Sequence, residues 1–183
     1  MLKTERMDRV RAALRAQGLT QMIVCDPKSV WYLTGVAVEP YERLLALYLP
    51  TEGEPVLFLN RLFNVPEPPC RTVWHTDTDK PVAQIAEVVD AGRPLGIDKE
   101  WPAKFLIPLM ETHPCMQVVL SSDCVDDCRA CKDAEEQTLM REASRINDAV
   151  NEAAKHYIKA GMTEREVAEF IDAQFRAHGC EGP

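Results

Sequence analysis

The chain lacks any apolar run long enough to cross a bilayer. Its longest, within "LLALYLP", suits a buried strand, so no membrane partner is expected. The opening "MLKTERMDRVRAAL" alternates charged and apolar residues and has no continuous apolar core of the signal-peptide kind. Positive charge is also short. With 21 Lys and Arg against 29 Asp and Glu, the net charge of −8 argues against a nucleic-acid partner, because a phosphate backbone repels it. Seven cysteines, an odd number without regular spacing, make no disulfide framework, and a reducing cytoplasm suits them. The four histidines, His75, His113, His156 and His178, show neither His-x-x-x-His nor His-Glu-x-x-His spacing. Gly-x-Ser-x-Gly, phosphate-cradling and dinucleotide fingerprints are missing too, as are internal repeats and low-complexity segments.

What is present reads as an α/β chain. Met7, Val10 and Leu14 recur on one face of a helix over 4–17, with Gly18 as its stop. "QMIVCD" reads as a buried strand, and "RLLALYLP" and "EPVLFLN" as a hairpin turning at Glu52-Gly53. Three prolines make 64–70 a loop before the strand "RTVWHTD". "PVAQIAEVVDAG" then reads as a helix with Pro81 in its first turn and Gly92 past its end. The strand "PLGID", a helix over 103–111 and the strand "MQVVLSS" follow. Strands first in a meander and then alternating with helices predict a mixed sheet with helices on its faces.

Beyond this the pattern turns wholly helical. Asp133 with Glu136, and Thr163 with Glu166, are spaced as helix-start capping pairs. Leu139, Ala143, Ile146, Val150, Ala153 and Tyr157 stripe the first helix, and Val167, Phe170, Ile171 and Phe175 the second. Both stripes are wide enough to want a sheet beneath them.

Two patterns invite a metal reading. Cys124-x-x-x-Cys128-x-x-Cys131 has the spacing of the cluster loop of radical S-adenosylmethionine enzymes, where three thiolates hold three irons. The same spacing places all three on one helix face, where cysteine packs as a small apolar residue, and this is the expectation. His178-Gly-Cys180 offers only two donors where a site needs three or four, so both are expected as exposed helix-end residues.

A family resemblance rests on six segments in order. "DPKSVWYLTG" resembles the Asp-x-x-x-x-x-Tyr-Leu-Thr-Gly segment of the amino-terminal domain shared by Xaa-Pro dipeptidases (prolidases), aminopeptidase P and creatinase. "YERLLALYLPTEGEPVLFLN" is similar to the Glu-Arg and strand pair that follow there, and "LGIDKEW" to a later Gly-(Ile/Val)-Asp segment. In "RACKDAEEQTLMREASRINDAV", Arg129, Lys132, Glu136, Arg141 and Ala143 fall in register with the family's junction. Gln137 stands there where an aliphatic residue is usual. "AGMTEREVAEFI" and "GCEGP" resemble the segments that come next.

The resemblance implies a creatinase-type amino-terminal domain, ribonuclease H-like in fold, over 1–128. The first two helices of a truncated pita-bread α+β catalytic domain would follow over 129–183. It places Cys128 and Cys131 at apolar helix positions. It implies a parent metallopeptidase that cleaves the bond before proline with two divalent metals (manganese, cobalt or zinc). Their two Asp, one His and two Glu would all lie downstream, so no residue here is assigned to catalysis, cofactor or metal. The chain alone is therefore expected to be an inactive fragment without a cofactor, its peptide substrate belonging to the full-length parent. The resemblance also implies a homo-oligomer, a dimer, in which Trp31 and Tyr32 border the subunit interface or substrate rim. A buried aromatic pair on a strand is the competing reading for these two. An aminopeptidase P or creatinase-like amidinohydrolase parent, or a stand-alone assembly module, stays open.

Overall fold

The computed structural model describes residues 2–112 and 117–181. His113, Cys115, the Met116 that opens "MQVVLSS" and the closing Gly182-Pro183 of "GCEGP" lie outside the described residues. The chain divides into two compact units, Met1–Cys131 and Lys132–Pro183.

The first unit is a six-stranded mixed sheet with helices on both faces. Helix α1 (Thr4–Ala16) buries the expected Met7, Val10 and Leu14. It ends where Gly18 adopts a φ of 74°, and Leu19 N then donates back to Leu14 O at 2.9 Å. In order follow β1 (Gln21–Val24), α2 (Pro27–Thr34), β2 (Ala46–Pro50), β3 (Val56–Asn60), β4 (Arg71–His75), α3 (Pro81–Ala86), β5 (Leu95–Ile97), α4 (Ala103–Thr112), β6 (Val118–Leu120) and α5 (Asp123–Ala130). The sheet order is β4-β3-β2-β1-β5-β6. Only β2 runs against its neighbours.

Alternation along the central strands feeds two cores, which is why their sequences read as nearly unbroken apolar runs. Met22, Val24, Leu47, Leu49, Leu57 and Leu59 face α1, α2 and α5. Ile23, Ala46, Tyr48, Val56 and Phe58 face α3 and α4.

Three expectations need correction. Pro27–Thr34 is a helix and not strand: Pro27 suits a first helical turn, Asp26 caps it and Gly35 closes it at φ 75°. The strands are no simple meander, because β4 lies parallel to β3 and the Pro-rich 61–70 segment carries the chain back to start it. Helix α3 stops at Ala86, well short of Gly92. Beyond it the buried Gln21 side chain takes over the backbone, accepting from Asp90 N at 2.9 Å and donating to Asp90 O at 2.8 Å.

The second unit is a helical hairpin of α6 (Ala134–Tyr157) and α7 (Glu164–Ala177). Both expected capping boxes form. Asp133 accepts from Glu136 N at 2.9 Å, and Thr163 accepts from Glu166 N at 3.3 Å. Gly161 turns the chain between the helices at φ 93°, and Tyr157 stacks on Phe170 with ring centroids 3.8 Å apart. At 1.5 Å per residue, α7 is about 21 Å long and α6 about 36 Å. α7 is therefore too short to cover the whole α6 stripe. Val150 and Ala154 are buried, whereas Leu139 is 63% exposed.

Candidate functional site

Five strands run the same way, so their carboxyl ends gather along one edge of the sheet. In open α/β sheets this edge collects ligand-handling side chains. Two polar clusters lie along it.

The first forms beyond β1 and β5. Asp26, the cap of α2, accepts from Ser29 N at 2.9 Å and from Ser29 Oγ at 2.7 Å. Arg129, in the last turn of α5, donates through Nη1 to Asp26 Oδ2 at 3.1 Å and Ser29 Oγ at 3.0 Å. Behind them Asp98, buried, accepts from Asp26 N at 2.8 Å, from Glu100 N at 3.1 Å and from Cys25 N. Burial pushes Asp98 above the usual carboxylate range despite these amides. The same burial, with the Asp98 charge beside it, pushes the Cys25 thiol well up. Burial also acts to raise Asp26, but the Ser29 hydroxyl and amide, the Lys28 amide and Arg129 together hold it below its ordinary value. Asp26, Asp98 and Arg129 come from three of the segments that carried the family resemblance. Their carboxylate oxygens are engaged by neighbours, so the cluster serves as a tie that fixes α2 and α5. Its chemistry is architectural.

The second cluster lies beyond β3 and β4, around a cavity of about 360 Å³ lined by Arg43, Asn60, His75, Asp77 and Phe105. His75 is buried, with Nε2 3.1 Å from Leu44 O and Nδ1 3.4 Å from Asn60 Nδ2. That pattern suits a ring with its proton on Nε2. Asn60 donates to Asp77 at 2.8 Å, and Asp77 receives two bonds of 3.0 Å from Arg43. The polar groups of this cluster satisfy one another as well, and no motif in the sequence marks His75.

Trp31 and Tyr32 part company because successive residues on a helix point about 100° apart. Trp31 is 57% exposed beside a shallow groove with Pro27, Ala37 and Val38. Tyr32 is buried; its hydroxyl accepts from Arg9 Nη2 at 2.9 Å and donates to Cys128 O at 3.2 Å. Neither a buried pair nor a strand describes them.

The three cysteines do not share one environment either. Cys124 is in the core and Cys128 packs against it, as expected of helix-face residues. Cys131 stands past the end of α5 and is exposed, so its apolar packing is not realised. His178 is exposed at the α7 terminus, as expected, whereas Cys180 is partly buried. Among the described residues, no three His, Cys, Asp or Glu side chains converge in a way that would hold a metal ion.

Comparison with known proteins supplies what this geometry leaves open. Residues 6–131 match the model of the creatinase/prolidase N-terminal domain, and residues 138–183 that of metallopeptidase family M24. The chain is 28% identical over 177 residues to a probable dipeptidase, PepE, of Mycobacterium bovis, covering 92% of this chain and 47% of that protein. Among solved structures, the dipeptidase PepE of Mycobacterium ulcerans superimposes with a TM-score of 0.84 at 26% identity, over 98% of this chain and 50% of that one. A prolidase from Thermococcus sibiricus shares the fold at a TM-score of 0.85 and 24% identity, over 100% of this chain and 51% of that one. The chain spans about half the length of the curated relatives it matches.

Proposed function

Because the chain belongs to the creatinase/prolidase N-terminal domain family through residues 6–131, we propose that it forms the amino-terminal half of a proline-specific metallopeptidase of the Xaa-Pro dipeptidase kind. The observation that carries this reading is the tandem order of the two matches. A creatinase/prolidase N-terminal domain is followed at once by the start of an M24 metallopeptidase region.

M24 peptidases use divalent metals, which need a dense set of hard oxygen and imidazole donors. The residues described here do not fit such a group, since no three candidate donors converge. In this reading the donors belong to sequence beyond these residues, and the amide-hydrolysing step runs outside this chain. The contribution of residues up to Cys131 is a rigid wall for a substrate site and a surface for dimer assembly in the cytoplasm. Trp31, exposed above its groove, is the residue proposed to meet the other surface, and Tyr32 holds the helix that presents it.

Incubating the purified chain with manganese and an Xaa-Pro dipeptide tests this. No proline should be released, and the native protein in its source cells should have an intact mass well above that of 183 residues. Turnover by the isolated chain would overturn the reading.

A further inference from the structure

The end of α5 carries a second chemistry that a peptidase role does not use. Residues 128–131 read Cys-Arg-Ala-Cys. The helix runs to Ala130, and Cys131 follows at φ −92° and ψ 101°, so the chain leaves the helix only at the second cysteine. Since Arg129 and Ala130 are both helical, the Cα atoms of Cys128 and Cys131 stand about 5 Å apart. That falls inside the roughly 4.4–6.8 Å that a disulfide spans. Exposure sets the two thiols in order. Cys131 is open to solvent, Cys128 is partly buried behind it, and Cys124 is in the core and out of reach of a reagent. Neither Cys128 nor Cys131 is bridged to another cysteine.

We propose that Cys128 and Cys131 form a redox-sensitive dithiol that closes to a disulfide when the protein meets a small disulfide oxidant. The Cys131 thiolate attacks one sulfur of an oxidised thiol such as oxidised glutathione. A mixed disulfide forms and one glutathione thiol leaves. The Cys128 thiolate then attacks Cys131 Sγ and expels the second. Two protein thiols lose two protons and two electrons, and the oxidant takes them up as two thiols. Burial holds the Cys128 thiol above its ordinary value, which suits the slower, resolving role.

The consequence lies inside the ring. Arg129, which follows Cys128 in the sequence, ties α5 to Asp26 and Ser29 at the start of α2. The Cys128 carbonyl accepts from Tyr32 OH, so the same turn has a second anchor on α2. Neighbouring Cβ atoms on a helix stand about 5–6 Å apart, whereas a disulfide draws them to about 3.8 Å. Closing the ring pulls on this last turn and loosens both anchors.

The full chain, reduced and then exposed to oxidised glutathione, gives the test. Trypsin cuts after Arg129, so a Cys128–Cys131 bond keeps the Ala130–Lys132 peptide attached until a reductant is added, and fragment ions assign the bonded sulfurs. The attached peptide should carry most of the Cys131 signal and should vanish in Cys131→Ser, an exposed change that leaves the core intact. Hydrogen exchange of the α5 amides should quicken about tenfold on oxidation and recover on reduction. Cys131 found only as a glutathione adduct, or bonded elsewhere, would sink the proposal. A Cys128–Cys131 bond with unchanged α5 exchange would overturn its coupling to Arg129.

Discussion

At Gly96 in β5, a methyl group would sit 2.5 Å from Ser121 Oγ and 3.3 Å from both Gln21 O and Leu19 Cδ1. The strand approaches its neighbours so closely that only hydrogen fits. Ser121 is itself fully buried and cannot swing into solvent. Gly96→Ala should therefore cost about 1–3 kcal/mol, the usual penalty of overpacking. Urea midpoints would measure it, and Ser121→Gly in the same chain should return much of the loss, since it removes the atom that clashes. A Gly96→Ala variant as stable as the parent would show that β5 can shift away. The glycine of "LGIDKEW" is thus a packing requirement, and the Asp98 two residues on is a backbone acceptor.

Helix α2 rests on one side chain at its start. Its eight residues start from the Asp26 carboxylate, which also receives Arg129. Asp26 has a folded pKa below its ordinary value, so its stabilisation is fully present above the unfolded value of about 3.9. It is lost as pH falls through the folded value. Asp98 works in the opposite sense. Its raised folded pKa means that acidification through that range favours the fold. Asp26→Asn keeps a competent cap but cannot titrate. It should cost about 1–2 kcal/mol near neutral pH through the lost charge-assisted bond. Stability followed from pH 6 to pH 3 should then fall less steeply than in the parent, or rise slightly. An acid slope identical to the parent's would remove Asp26 from this role.

Across the whole molecule, burial is distributed very unevenly. Strands β1 and β3 are buried along their entire length, and β2 at all but its last residue, whereas α7 has no fully buried residue. Opening free energies follow buried contacts. Amides of β1 and β3 should exchange at least about 100-fold more slowly than those of α7. Uniform protection would mean that α7 is covered by surface other than α6. The same unevenness frames the proposed role, because a helical hairpin with Leu139, Met140 and Ile158 more than half exposed is a unit that expects more protein around it.

By itself the sequence determined the features that rest on neighbours along the chain. The capping boxes at Asp133 and Thr163 follow from groups three residues apart, and the α1 stripe from turns of one helix. The β2–β3 hairpin needs only a short turn between two apolar runs. The order of six family segments is equally a property of the sequence, and it points to the mixed sheet, packed on both faces, that the structure has. Tertiary structure alone decided the rest. The parallel seating of β4 on β3, the early stop of α3 under Gln21 and the anchoring of Tyr32 between Arg9 and Cys128 depend on partners remote in sequence. Arg129 meets Asp26 across a separation of 103 residues. No local pattern encodes such a contact, because the bond exists only after three strands and their helices have packed.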